Sequence, residues 1–319
     1  MTERALRLGT RRSTLAMAQS GHVAEAVRRL TGRDVELVEI TTYGDVSREH
    51  LAQIGGTGVF VAALRDALLR GEVDFAVHSL KDLPTTPHEG LTLAATPERE
   101  DPRDALVARD GLTFHELPDG ARVGTGSPRR MAQLNAYARS HGLRIETVPI
   151  RGNVDTRIGY VRNGELDAVV LAAAGLHRIG RIDEVTDFLS VDFVLPAPGQ
   201  GALAIECSAS DADLVAALSG LDDPHTRAAV TAERSLLAAL EAGCSAPVGA
   251  LADLLADGQD ATEMRLRGVV GTTDGSALVQ LSTTGPVPTS HGDAIALGRE
   301  LASEMLAKGA AGLMGERAL

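Results

Sequence analysis

The chain has 319 residues, a formal net charge of −12, 44% hydrophobic residues, 3% aromatic residues and no tryptophan. This length exceeds what a single hydrophobic core usually supports, so we expect two or three domains with aliphatic cores. The acidic balance argues against nucleic acid or an anionic membrane surface as the main partner, because binding phosphates requires a basic surface.

The first residues show no apolar run typical of a signal peptide, and no stretch approaches the roughly 18 apolar residues of a membrane span. The two cysteines, Cys207 and Cys244, do not suggest a disulfide framework. Histidines and cysteines are too scattered for a zinc signature, so no metal is predicted. We therefore expect a cytoplasmic protein.

Strands and helices alternate through the first two thirds of the chain, as expected for a parallel or mixed sheet. Strands are predicted at 5–9, 35–41, 75–77, 105–108, 122–124, 144–148, 168–171 and 202–207. Helices are predicted at 13–30, 59–70, 128–140, 154–161 and 172–178. Residues 42–58 form a long glycine-bearing loop, which is typical either of a functional lid or of a disordered excursion.

The last third has a different pattern, which indicates a small α+β unit. A long helix is predicted at 226–241, two strands at 264–270 and 277–281, and a final helix at about 293–308. Asp274 and Gly275 form the expected turn between the two strands.

Lys81 is one of only two lysines among the 31 basic residues of the chain, and it stands beside Asp82 just after an apolar strand. Lysine and arginine are not interchangeable, because lysine is a compact point charge on a flexible stem. The Lys81-Asp82 pair suits either an ordinary surface turn or a place for chemistry at a strand end.

Three predicted helices begin beside arginines, with N-caps at Ser13, at Ser127, and at Asn153 or Asp155. The arginines concerned are Arg11, Arg12, Arg129, Arg130, Arg151 and Arg157. Arginine in a first helical turn opposes the helix dipole, whereas helix N-termini and arginine forks both bind anions. The pattern predicts a cleft for a ligand with several negative groups, although solvated arginines paired with surface carboxylates are the alternative. Carboxylates are favoured over phosphates, because no Walker-type or GxGxxG loop is present.

Cys244 follows Gly243 at the end of the long predicted helix, among turn residues. A cysteine in a loop is a candidate nucleophile or attachment point. Cys207 lies within an apolar strand and fits the more common role of a small buried hydrophobe.

Several of these motifs, in their order and spacing, resemble those of the porphobilinogen deaminase (hydroxymethylbilane synthase) family over nearly the whole chain. They are TRRS at 10–13, HSLKDLP at 78–84, EDPRD at 100–104, GTGSPRR at 124–130, RGNVDTR at 151–157, LPAPGQG at 195–201 and Gly243-Cys244. The resemblance implies two periplasmic-binding-protein-like α/β domains with mixed sheets and a small α+β C-terminal domain. The implied domains are residues 1–101 with 199–221, residues 102–198, and residues 222–319.

The resemblance also implies an activity. A family member condenses four porphobilinogens head to tail, releases four ammonias and yields hydroxymethylbilane for porphyrin and heme biosynthesis. A dipyrromethane cofactor, bound through a thioether to Cys244, acts as the primer. The family further implies a monomer.

Residue roles carried over from the family motifs fall into three groups. Asp82 is the implied catalytic carboxylate, which stabilises the positive charge that develops as ammonia leaves and shuttles protons. The implied cofactor-binding residues are Cys244, Lys81, Asp82, Thr125, Ser127, Arg129 and Arg130. The implied substrate-binding residues are Arg11, Ser13, Arg151, Arg157, Phe60 and Gln200.

Three positions depart from the family pattern. Gly126 stands where a second serine is frequent, Thr57 stands in a glycine-rich stretch that often carries lysine, and Thr14 stands where proline is common. Each departure removes or changes one contact at most, and none of them falls on Asp82 or Cys244.

Two other functions compete with this transferase. A binding protein for a small dicarboxylate would use the same two-lobed fold without chemistry, since fold alone does not decide function. It would need neither Cys244 nor Asp82. A different cysteine-dependent transferase is the third interpretation, and no histidine motif supports it.

Overall fold

The computed structural model describes residues 4–41, 58–243, 246–257 and 260–314, without the side chains of 58–60, 256–257 and 260–261. The chain divides into two compact units. We call residues Met1–Glu100 with Ala202–Arg227 the first unit, and Asp101–Gly201 with Ala228–Leu319 the second unit. Each unit is described by itself.

Strands and helices alternate along most of the chain. The strands are β1 (Leu6–Thr10), β2 (Val35–Glu39), β3 (Phe75–Ser79), β4 (Leu91–Ala95), β5 (Asp104–Ala108), β6 (Ala121–Gly124), β7 (Ile145–Val148), β8 (Ala168–Ala172), β9 (Asp187–Phe188), β10 (Leu203–Ser208), β11 (Val248–Asp257), β12 (Asp260–Gly271) and β13 (Leu278–Pro286). The helices are α1 (Thr14–Thr31), α2 (Gly58–Leu69), α3 (Pro128–Ser140), α4 (Val154–Arg162), α5 (Ala173–Arg178), α6 (Ala212–Ser219), α7 (Pro224–Ala239) and α8 (His291–Ala307).

The first unit contains a five-stranded mixed sheet in the order β2-β1-β3-β10-β4. β1 runs parallel to both β2 and β3, whereas β10 returns from the later part of the chain and pairs antiparallel with β3 and β4. Alternation along β3 sends Phe75 and Val77 into the core that α1 residues help to form, and sends Ala76 into the core that α2 residues help to form. Both faces of the sheet are therefore covered, which explains the nearly continuous apolar character of β3.

The second unit contains a sheet with the equivalent order, β7-β6-β8-β5-β9. Its strand β6 is parallel to both β7 and β8, and β5 is the antiparallel strand, which pairs with β8 and β9. One face packs against α4 and α5 through Ile158 and Leu176, and the other against α3 through Leu134. The predicted class, two mixed α/β sheets, is confirmed.

The same unit includes a smaller antiparallel sheet in the order β11-β12-β13. Leu236 of α7 and Leu301 of α8 pack against this sheet, where Met264 and Leu266 of β12 are fully buried. α8 begins with a capping box, in which the Ser290 hydroxyl accepts a hydrogen bond from the N–H of Asp293 at 3.2 Å. This part of the chain is the small α+β region that the sequence predicts.

The predicted helices and strands are confirmed in type, with ends that differ by a few residues. The helix predicted at 128–140 is observed with those bounds, and Ser13, Ser127 and Asn153 are the observed N-caps. The prediction omits β4, β9, β11 and α6. β11 was missed because the apolar residues of VGALADLLAD do not alternate, so their period does not identify a strand.

The boundaries of the three domains stay a prediction. Contacts divide the chain into two units only, and they place residues 228–319, the predicted third domain apart from its first residues, in one unit with residues 101–201. The predicted loop at 42–58 lies outside the described residues except for residue 58, where α2 begins. Across the described ranges, none of the helices combines the length and the apolar character that crossing a membrane would require.

Gly298 is a position where the packing of α8 on α7 can be tested. A Cβ at Gly298 would lie 2.4 Å from the Ala232 carbonyl oxygen and 2.6 Å from the Ser235 Cβ. We expect Gly298→Ala to lower the free energy of unfolding by about 1–3 kcal/mol, because this overpacking exceeds the better helix propensity of alanine. Urea denaturation measures the change.

Gly292→Ala in the same helix is the matched control. A Cβ there meets nothing closer than the Ser290 Oγ, 3.6 Å away. We expect this substitution to leave stability unchanged or to raise it by up to ~1 kcal/mol. Equal destabilisation by both substitutions would show that steric contact with α7 is not the cause.

Candidate active site

Lys81 and Asp82 lie on a single turn of 3-10 helix, Leu80–Asp82, directly after β3. The Leu80 side chain is fully buried, and its N–H donates to the Ala202 carbonyl at 3.0 Å. The Leu80 carbonyl accepts a hydrogen bond from the N–H of Leu83 at 3.1 Å, which closes the turn. The side chains of Lys81 and Asp82 are half-buried. Asp82 accepts no hydrogen bond within the described part of the chain.

Arg11 and Ser13 follow the neighbouring parallel strand, β1. The Ser13 hydroxyl caps α1 by accepting from the N–H of Ala16 at 3.3 Å, and it retains its own hydrogen for a ligand. Arg11 is half-buried. Because the carboxyl ends of parallel strands meet at one edge of a sheet, Arg11, Ser13, Lys81 and Asp82 follow the same edge of this first sheet.

The second unit repeats this arrangement at the carboxyl end of β6. The Ser127 hydroxyl caps α3 by accepting from the N–H of Arg130 at 3.4 Å, and its own N–H donates to the Thr125 hydroxyl at 3.2 Å. Thr125 is fully buried. A Cβ at Gly126 would lie 2.6 Å from the Ile150 carbonyl oxygen. The glycine at this family position therefore has a steric reason in this chain.

Arg129 and Arg130 are both buried, and both contact Asp104, whose side chain is fully buried at the start of β5. Each guanidinium lies 2.7 Å from a different oxygen of this carboxylate. Arg129 also donates to the Leu195 carbonyl at 2.6 Å, and Arg130 donates to the Val170 carbonyl at 2.9 Å. One carboxylate therefore orients two arginines.

Gln200 belongs to the same cluster. Its amide nitrogen donates to Asp104 at 2.8 Å and to the Pro102 carbonyl at 2.7 Å, and the residue is almost fully buried. These two hydrogen bonds use both amide hydrogens. The side chain thus supports Asp104, whereas a direct contact of Gln200 with substrate stays a prediction.

Electrostatics of the cluster follow from this geometry. Burial by itself would raise the pKa of Asp104, but the charges and hydrogen bonds of Arg129 and Arg130 outweigh it and hold the pKa well below its usual range. Burial lowers the pKa of Arg129. Burial, and then the charge of Arg130, lower the pKa of Arg157, so these two cations repel each other.

Arg157 and Arg151 flank the start of α4. The Nε of Arg157 donates to the Gly152 carbonyl at 2.8 Å, and Asn153 caps the helix by accepting from the N–H of Thr156 at 2.9 Å. Arg151 is exposed, and it forms no ion pair with any residue in the described ranges. Its guanidinium is therefore available to a ligand.

Positive charge exceeds negative charge in this region. Arg129 and Arg130 share Asp104 as their only carboxylate among the described residues, and Arg157, whose charge interacts with that of Arg130, forms no ion pair there. Within the same set of residues, the buried Nε atoms of Arg129 and Arg130 have no hydrogen-bond partner. A buried donor without a partner and a positive charge in excess of the nearby negative charge are both costly, so this arrangement fits an anionic ligand.

Of the two cysteines, Cys207 is described. It is fully buried in β10, and burial raises the pKa of its thiol to about 11, which keeps it protonated and unreactive. Its predicted role as a small buried hydrophobe is confirmed. Cys244 lies outside the described residues, as does Thr57, and the side chain of Phe60 is not described although its backbone belongs to α2.

The sequence alone assigns no role to Asp104 beyond its place in the EDPRD motif. A signal was present, because Asp104 opens the strand DALVA, which is otherwise wholly apolar and buried. An aspartate in such a strand needs a cationic partner. The chain has 31 basic residues, of which two are lysine and 29 are arginine. The sequence does not indicate which of these arginines is the partner.

Comparison with known proteins agrees with these observations. A family model described as "Porphobilinogen deaminase, dipyromethane cofactor binding domain" matches residues 6–216, and the model of the porphobilinogen deaminase C-terminal domain matches residues 227–307. Porphobilinogen deaminase 1 of Streptomyces coelicolor is 84% identical over 318 residues, covering 100% of both chains. Porphobilinogen deaminase of Thermobifida fusca is 60% identical and covers 95% of this chain and 94% of its own.

Among solved structures, a periplasmic binding protein of Salmonella typhimurium with high arginine specificity is 16% identical and covers 69% of this chain and 92% of its own, with a TM-score of 0.39. That likeness is too low to support a conclusion. The two consecutive domain matches and the full-length identities are sufficient without it. The chain belongs to the porphobilinogen deaminase family.

Proposed function

We propose that Asp82 is the catalytic carboxylate of this chain, that Cys244 holds its cofactor, and that the arginines at the helix starts bind the carboxylates of cofactor and substrate. The family is that of hydroxymethylbilane synthase, so the chain is a transferase of porphyrin biosynthesis. It condenses porphobilinogen units and releases ammonia. This membership decides against a binding protein without chemistry and against an unrelated cysteine-dependent transferase.

The single observation that carries the proposal for the arginines is the excess of positive charge around Asp104. The guanidinium groups of Arg129 and Arg130 share one carboxylate, and both retain buried Nε–H groups without partners among the described residues. The charge of Arg157 adds to the excess, since it interacts with that of Arg130. Each pyrrole of the substrate carries an acetate and a propionate. Arginine binds such carboxylates through charge-assisted and often bidentate hydrogen bonds. The charge and the donor geometry of this cluster therefore fit dipyrromethane.

Dipyrromethane, when bound, supplies the pyrrole carbon to which porphobilinogen units are added. The cationic side chains of this protein fix the acidic substituents of the pyrroles and so orient the rings. Holding reacting groups in the correct geometry removes much of the entropic barrier to their reaction. Arg151 is exposed, and Ser127 and Ser13 retain hydroxyl hydrogens, so these residues can contribute further donors.

Asp82 has the properties that the chemical step requires. Each addition breaks the aminomethyl C–N bond, releases ammonia, forms a C–C bond and removes the α-proton of the acceptor pyrrole. Positive charge develops on the substrate as ammonia leaves. A half-buried carboxylate that accepts no hydrogen bond from the described residues can face that charge and accept a hydrogen bond from the pyrrole N–H. The same carboxylate can accept the proton that is lost.

We further propose that the enzyme works as a monomer in the cytoplasm and does not bind nucleic acid. The net charge of −12 supports the last point, because binding a phosphate backbone requires a basic surface. Local clusters of arginine still bind a small anionic substrate, since they act over short distances.

Intact mass tests the role of Cys244. We expect the purified protein to exceed the mass of its chain by one covalently bound dipyrrole, because a thioether survives denaturation. Cys244→Ala should lose both this excess and the activity. Cys207→Ala is the matched control and should keep both, since Cys207 is buried with a raised thiol pKa. Active protein of unmodified mass would contradict the assignment.

Turnover tests the role of Asp82. We expect Asp82→Asn to retain the mass excess but to lower the single-turnover rate by about 100-fold or more, because it removes the negative charge that stabilises the cation formed on the substrate as ammonia leaves. Asp34→Asn, which changes an exposed carboxylate of the same unit, should leave the rate unchanged. A near-normal rate for Asp82→Asn would rule out this catalytic role.

A further inference from the structure

Three buried ionisable side chains meet in the first unit, and neither the catalytic proposal nor the charge cluster of the second unit uses them. Arg65 of α2, Glu206 of β10 and His78 of β3 have side chains that are 9%, 4% and 3% exposed. The Nε of Arg65 donates to both carboxylate oxygens of Glu206 at 3.1 Å, and its Nη2 donates to the Oε1 of Glu206 at 2.8 Å. The Nε2 of His78 lies 3.2 Å from the Oε2 of the same carboxylate.

The protonation of this network follows from its contacts. Burial by itself would raise the pKa of Glu206, but the hydrogen bonds from His78 and Arg65 outweigh burial and lower it. An ionised carboxylate only accepts hydrogen bonds, so the Nε2 of His78 carries a hydrogen and donates it.

The register of the sheet explains why these groups meet. Ala204 pairs with His78 and Glu206 pairs with Ala76, so His78 and Glu206 are diagonal neighbours on one face of the sheet. Ala76 packs against Leu64 and Leu68 of α2 on that face, and Arg65 reaches it from the same helix. The network therefore joins β3, β10 and α2 at one point.

Ser79, the next residue of β3, lies on the opposite face of the sheet. The amide of Gln19 in α1 donates to the Ser79 hydroxyl at 2.9 Å. The backbone N–H of Leu80 then donates to Ala202 at 3.0 Å. Three consecutive residues of the chain, 78, 79 and 80, are thus fixed by polar contacts in three directions, immediately before Lys81 and Asp82.

Stability alone does not account for a buried ionic network. Desolvating charges costs free energy, and replacing a buried ion pair by apolar residues of similar volume is often neutral or stabilising. A bidentate arginine–carboxylate contact, in contrast, imposes direction and distance more strictly than apolar packing does. The network is suited to fixing the position of the strand end.

We propose that Arg65, Glu206 and His78 form a positioning network for the Lys81–Asp82 turn, so that the Asp82 carboxylate is held where the substrate needs it. This inference rests on the catalytic role proposed for Asp82. A shift of about 1 Å at a catalytic group can cost up to about 100-fold in rate, so precise placement at the end of β3 has a large effect on turnover.

Two substitutions of His78 test the network against a purely structural role. His78→Leu fills similar space but removes the donor to Glu206, and we expect it to lower kcat about tenfold or more while KM stays within about twofold. His78→Gln restores an N–H donor, and we expect it to recover most of the lost kcat. Intact mass confirms that both variants carry the cofactor.

Asp74→Asn is the matched control, at the opposite end of the same strand. Asp74 precedes β3 and accepts hydrogen bonds from Arg4 and Arg7, with the backbone N–H of Arg7 at 2.7 Å. We expect this variant to lower Tm while kcat remains at the wild-type value. A network that served only stability would make kcat follow Tm in all three variants, and that result overturns the proposal.

Arg65→Lys provides the test if His78→Leu does not fold. It keeps the positive charge but loses the two-pronged contact with Glu206, and we expect kcat to fall about threefold or more with KM unchanged. Wild-type kcat in this variant, or in a folded His78→Leu, contradicts the positioning role. Wild-type protein without turnover or without excess mass would instead count against the proposed function itself.

Discussion

The interaction between the buried Asp104 carboxylate and two guanidinium groups organises the second unit. Asp104 opens a strand with no other polar side chain, and it can be buried there only because Arg129 and Arg130 neutralise it. The same contacts fix both arginines at the start of α3. Asp104 also accepts a hydrogen bond from the side-chain amide of Gln200. Cations that would otherwise move freely are thereby held in place before any ligand binds, which reduces the entropy lost on binding.

The two units position the polar residues of the candidate site through different kinds of contact. Each sheet has one strand with two parallel neighbours, β1 in the first and β6 in the second, and in each the polar residues of the candidate site follow the carboxyl ends of these parallel strands. The second unit fixes arginines through one shared carboxylate. The first unit fixes a backbone turn, through polar contacts at residues 78, 79 and 80, and leaves Asp82 without an internal hydrogen bond among the described residues. The proposed binding groups and the proposed catalytic group are thus positioned by separate means.

Local features of the fold and site could be predicted from the sequence, whereas long-range features could not. Ser13 and Ser127 are predictable as helix N-caps, and the third cap is narrowed to Asn153 or Asp155, of which the structure has Asn153, because capping depends on a residue and its next three neighbours. The partners of Asp104 are 25 and 26 residues away, and Glu206 lies 128 residues from His78. Such pairings are set by strand register and helix packing, which a single sequence does not specify. The missed strand β11 has the same origin, since its burial on both faces removes the alternation that would identify it.

The central claim is that the excess positive charge held by Asp104 serves the carboxylates of the covalently bound cofactor. A crystal structure of the protein purified with its cofactor measures this directly through the distances between guanidinium nitrogens and pyrrole carboxylates. We expect cofactor carboxylates at hydrogen-bond distance, about 2.7–2.9 Å, from Arg130 or Arg157, while Asp104 keeps its contact with Arg129. Cofactor carboxylates that lie in solvent or on other residues, with these arginines still facing inward, would contradict the account.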